Sequence, residues 1–97
     1  MVYRVILDPT VGHDIAESIA WYNKAQPGLG VKFYKQVDIV VKSLRNNPLV
    51  YPIRYKSSRL AMVKKFPYMI HFFIDSEKET VVVTAILHIM SALIKIS

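Results

Sequence analysis

The strongest constraint on this chain is a change of hydrophobic period part-way along it. Ile15, Ile19 and Tyr22, with Ala16 and Ala20 beside them, recur at helical spacing, while Asp14, Glu17 and Asn23 take the wetter side. Phe33, Val37, Val40 and Leu44 form a second helical stripe, with Lys32, Lys35, Lys42 and Arg45 turned to solvent. The stretch AQPGLG separates the two helices, and Asn46-Asn47-Pro48 stops the second. After the connector YPIRYKSS the period falls to two: RLAMVKK, YMIHFFID and TVVVTAILH are rich in β-branched and aromatic residues. Phe66-Pro67 and the polar run from Ser76 to Glu79 divide them into three strands.

At the N-terminus VYRVILD alternates, with Tyr3, Val5 and Leu7 on one face and Arg4 on the other. Asp8-Pro9 then supplies a helix cap followed by proline in the first turn. The expected fold is therefore α+β, in the order β-α-α-β-β-β. A helical hairpin packs on one face of an antiparallel sheet, and the other face is left open. At 97 residues the whole chain, 1–97, is read as one domain.

Alternation also assigns side chains to the two faces. Val81, Val83, Ala85 and Leu87, with Ile70, Phe72, Ile74, Leu60 and Met62, are expected against the helices. Thr80, Val82, Thr84, Ile86 and His88, with His71, Phe73, Asp75, Arg59, Val63 and Lys65, fall on the open side. One bulge or register slip inverts any of these assignments.

On this reading Arg59, Lys65, His71 and His88 gather on one surface. Cations stabilise charge building on phosphate oxygens, and histidine moves protons near neutral pH, so the set suits phosphodiester binding and cleavage. Each member also has a plainer reading. A lone strand histidine is more often structural, and strand lysines and arginines more often aid solubility or protect an edge.

The net charge of +6 and the pI of about 9.7 favour a polyanionic partner, either nucleic acid or an acidic protein segment, though a merely solvated surface gives the same balance. With no cysteine, disulfides and thiolate metal sites are excluded. There is no glycine-rich phosphate loop, no histidine pair at metal spacing and no nucleophile elbow, so neither cofactor nor metal is expected. The N-terminus lacks the pattern of a signal peptide, and TVVVTAILHIMSALI is too short to span a bilayer; a cytoplasmic protein is expected. His13 reads as an exposed helix residue, and Trp21 as a core or interface anchor rather than a base-stacking platform. Tyr51, Tyr55 and Tyr68 are expected near the sheet rim.

The run DIAESIAWYNKAQPGLGVKFYKQV, then NP and a tyrosine, then RLAMVKKFPYMIHFFID and VTAILH, resembles the ParE branch of the RelE/ParE toxins. The agreement spans roughly residues 2 to 88. Its most specific pieces are the WY closing the first helix, the GxxF opening the second and the KFPY hairpin. The resemblance implies a bacterial type II toxin–antitoxin (plasmid-stabilisation) system, in which an acidic or amphipathic segment of a cognate antitoxin wraps the toxin. It implies one of two activities: RelE-like cleavage of ribosome-bound mRNA on the concave sheet face, or ParE-like poisoning of DNA gyrase without nuclease chemistry. Arg59 matches the arginine opening the family's second strand, and His88 the histidine closing its last; with His71 they are the catalytic candidates. Lys65, Lys64 and Arg54 are the candidates for target or phosphate contact.

The C-terminus, HIMSALIKIS, departs from the pattern. Ser91 stands where the family places an arginine, and Lys95 cannot reproduce its bidentate fork. Ile89, Met90, Leu93, Ile94 and Ile96 instead suggest a segment docked on the core or on a partner. The expected function is accordingly a ParE-like toxin that inhibits growth by binding a protein such as gyrase. A ribosome-dependent endoribonuclease and a degenerate, non-toxic member are the alternatives. Assembly as a homodimer, or as a heterotetramer with antitoxin, fits either.

Overall fold

The computed structural model of the chain describes residues 2–90. Strand β1 (Arg4–Leu7) leads into helices α1 (Pro9–Ala25) and α2 (Leu29–Ser43). A 3-10 turn (Pro48–Val50) precedes β2 (Ile53–Tyr55), β3 (Ser58–Met62), β4 (Tyr68–Asp75) and β5 (Thr80–His88).

Local chemistry sets the helix ends. The Asp8 carboxylate accepts the Thr10 amide at 3.0 Å and the Thr10 hydroxyl at 2.8 Å, and Pro9 needs no amide partner. Between the helices Gly28 adopts φ 87°, where a side chain would be strained. At Gly30 a Cβ would run into the Ile19 carbonyl and the Asn23 side chain, so the hairpin closes only on glycine. Phe33, Val37 and Val40 from α2, with Leu44 just past its end, meet Val11 and Tyr22 from α1 in the core, as their spacing anticipated.

The sheet order is β1-β5-β4-β3-β2. The hairpins are antiparallel and β1 lies parallel to β5, so the expected architecture holds with two additions: a short edge strand drawn from the connector, and a parallel first strand. The connector residues Ile53 to Tyr55 lack a buried face, which is why alternation could not mark them.

Cross-strand partners share a face, so the register corrects several side-chain assignments. Along β4 the assignment stands: Ile70, Phe72 and Ile74 join the helix-side core, and His71 faces away. In β3 it inverts. Ala61 pairs with Ile70 and Arg59 with Phe72, so Arg59, Ala61 and Val63 lie on the helix side, and Leu60 and Met62 on the far side. Four consecutive apolar residues, Leu60 to Val63, fit either parity, and tertiary packing chose the small alanine for the helix contact.

In β5 Phe72 pairs with Val83 but His71 with Ala85, leaving Thr84 as an extra residue. This bulge reverses the alternation. Ile86 and His88 therefore turn to the helix side, while Ala85 and Leu87 turn away. The far face is consequently apolar rather than cationic, carrying Leu60, Met62, Met69, Phe73, Val82 and Leu87 around His71.

Candidate functional site

The residues expected to share one surface are distributed over several. Arg59 is half-buried, and its guanidinium Nη1 donates to the Tyr51 carbonyl at 2.6 Å. The Tyr51 ring packs edge-on against Phe72, and its hydroxyl lies 3.1 Å from Ser43 Oγ. Arg59 is thereby a strut tying β3 to the segment that follows α2. His71 is buried on the far face between Leu60 and Ala85, and its carbonyl accepts from Thr84 Oγ1 at 3.3 Å.

His88 is exposed at the end of β5, in a cleft of about 570 Å³. Glu17, Ser18, Trp21, Tyr22, Pro67 and Tyr68 complete the lining. The His88 and Tyr68 rings meet edge-to-face at 5.5 Å, and Tyr22 joins Phe33, Phe66 and Tyr68 in an aromatic cluster. Burial, and then the neighbouring Tyr68, push the Tyr22 phenol above its usual range, so it stays a neutral donor. Trp21 is 65% exposed, which excludes a core role. His88 Nδ1 accepts the Met90 amide at 3.3 Å. No lysine or arginine among the described residues lines this cleft, and Glu17 puts a carboxylate there.

The cations lie elsewhere. Lys64 and Lys65 occupy the β3–β4 turn, where Lys65 takes φ 69°, and Arg54 is exposed on β2. One groove, of about 710 Å³, has Arg54, Lys64 and Lys65 around Leu60, Met62, Val63 and Met69. Another, of about 470 Å³, has Lys32, Lys35, Gln36 and Lys65 around Leu29. Lys65 and Phe66 line both, so the two grooves adjoin at the β3–β4 turn; together they carry five cations and, among the described residues, no carboxylate. Lys32 and Lys35 were legible as a solvent-facing pair, but their junction with the β3–β4 turn is a tertiary fact.

Among the described residues no cluster of histidine and carboxylate side chains could hold a metal ion, and no helix is long and apolar enough to cross a membrane. Ile89 donates its amide to the Pro67 carbonyl at 2.7 Å, and Met90 is exposed. Ser91, Leu93, Ile94, Lys95 and Ile96 lie outside the described residues.

No family model and no curated protein sequence matches the chain. Solved structures do. A protein of the chromosomal ParDE toxin–antitoxin system of P. aeruginosa superposes with a TM-score of 0.79 at 13% identity, covering 91% of this chain and 97% of that one. A variant of the E. coli RelE toxin in the free state gives 0.73 at 13% identity, over 98% and 92%. A RelBE toxin–antitoxin complex from Mycobacterium tuberculosis gives 0.61 at 21% identity, over 91% and 92%. The chain has the fold of the RelE/ParE toxins.

Proposed function

We propose that this chain is the toxin of a type II toxin–antitoxin pair, that it arrests growth ParE-like by binding a protein target such as DNA gyrase, and that a cognate antitoxin neutralises it. The observation that carries this reading is the separation of proton-transfer and charge-stabilising groups into different clefts. Phosphodiester cleavage needs a general acid or base and cations on the same phosphate. Among the described residues, the cleft of His88 holds a carboxylate and no permanent cation, and the two grooves lined by Lys32, Lys35, Lys64, Lys65 and Arg54 hold no histidine. Arg59 already serves the Tyr51 carbonyl. Cationic grooves with apolar floors suit capture of an acidic protein surface instead. The overlay on the ParDE protein supports the same reading.

The RelE-like nuclease is the second reading, favoured by the overlay on RelE and by the exposure of His88. Purified toxin separates the two. It is expected to inhibit gyrase supercoiling and to leave ribosome-bound mRNA intact; unaffected supercoiling with newly cut mRNA ends would reverse the assignment.

A further inference from the structure

We infer that the cleft between α1 and the end of β5 binds the guanidinium of an arginine side chain presented by a protein partner. Its wall on α1 is one helical stripe: Glu17 and Trp21 stand four residues apart, with Tyr22 beside them. The other wall is Tyr68, opening β4, and His88, closing β5, which are partners in register. The Trp21 and Tyr22 rings meet edge-to-face, centroids 5.1 Å apart and planes at 82°. Whichever ring supplies the edge, at least one indole face lies outside that contact. Tyr22 and Tyr68 continue the aromatic lining at 6.2 Å. Glu17 Oε1 lies 3.1 Å from His13 Nε2, and Oε2 has no ion pair among the described residues.

Charge selects the occupant. In a chain of net charge +6, this cleft is lined by a carboxylate and by aromatic rings, whose faces are themselves negative. A nucleotide stacked on the indole would bring its phosphate beside Glu17 with no permanent cation in the lining to receive it. A neutral apolar side chain would strip water from the carboxylate and return no hydrogen bond. A cation answers both the rings and Glu17. Arginine suits them better than lysine, because a guanidinium is planar and weakly hydrated, lies flat on a ring and donates from its edge to a carboxylate. Glu17 and Trp21 are both exposed, so the cleft leaves a free small molecule largely in water, which favours a side chain carried on another protein surface. None of the residues lining this cleft lines either cationic groove, so the two kinds of site are separate and opposite in sign. The inference goes beyond the toxin reading and does not depend on it: arginine capture can fail while the gyrase result stands.

The test uses the full chain and four probes: the acetylated and amidated peptides GRG, GKG and GQG, and free arginine. Trp21 is the single tryptophan of the chain, so its fluorescence reports on the cleft alone. The GRG peptide is expected to change that fluorescence saturably, with a Kd on the order of millimolar. The GKG peptide should bind more weakly and the GQG peptide should not saturate. Free arginine should also bind more weakly, because its α-carboxylate is brought beside Glu17. Glu17→Gln is expected to weaken GRG binding about fivefold. Trp21→Leu, followed through the His88 amide by NMR, should abolish the response. Both substitutions fall at exposed side chains and leave the core intact. No saturation by GRG at tens of millimolar, equal binding of GQG or GKG, or equal affinity in Glu17→Gln would overturn the inference; free arginine bound more tightly than GRG would overturn the protein partner.

Discussion

The amide of Gly30 donates 2.7 Å to the side-chain oxygen of Asn23, so α1 supplies the hydrogen bond that begins α2. The contact closes the helical hairpin and fixes which stripe of α2 meets the sheet. A methyl group at position 30 would meet the Ile19 backbone, which has nowhere to go. Ordinarily alanine outperforms glycine in a helix, but here the clash wins. Gly30→Ala is expected to cost about 1–3 kcal/mol, a fall in Tm on the order of 10 °C. Gly12, in α1, has open space around its Cβ position, and Gly12→Ala should raise stability by about 0.5–1 kcal/mol. Thermal unfolding followed by circular dichroism checks both signs, and equal effects would refute the packing described at Gly30.

Asp8 gives the N-terminus of α1 a pH dependence. Its hydrogen bonds from Thr10, the backbone amide first and then the hydroxyl, hold its carboxyl below the ordinary value of 3.8. A depressed carboxyl contributes stability that is full above its unfolded pKa and is lost as pH falls through the folded one. Asp8→Asn should therefore lower Tm at neutral pH, and the gap to the native chain should narrow below about pH 4. A gap unchanged down to pH 2 would show that the carboxylate charge contributes nothing.

Arg59 should matter through the fold rather than through chemistry. Removing its guanidinium leaves the Tyr51 carbonyl without this donor and loosens the segment that precedes β2. Arg59→Ala is expected to cost about 1–3 kcal/mol. Growth arrest should persist in this variant at temperatures well below its lowered Tm, as scored by induction at two temperatures. Loss of arrest in a fully folded Arg59→Ala protein would restore the residue to a functional site.

The elements were legible where one face is buried and the pattern is long. The stripes of α1 and α2 and the alternation of β4 lead directly to the core residues Phe33, Val37, Ile70 and Phe72. The site was less legible, because facing depends on single-residue events. The extra residue at Thr84 moved His88 across the sheet, and the apolar run Leu60 to Val63 left the parity of Arg59 to tertiary packing. The groove beside α2 escaped for another reason: Lys32 and Lys35 on α2 and Lys65 in a turn are distant in sequence and converge only when the β3–β4 turn folds against the helix.

Growth arrest on induction without antitoxin, compared between His88→Ala and the double charge reversal Lys35→Glu with Lys65→Glu, separates binding at the cationic groove from chemistry at His88. If the chain acts by binding through the cationic groove of Lys35 and Lys65, His88→Ala should arrest growth as the native chain does, and the double reversal should grow freely while remaining folded. Free growth of His88→Ala, with arrest retained by the double reversal, would contradict the account.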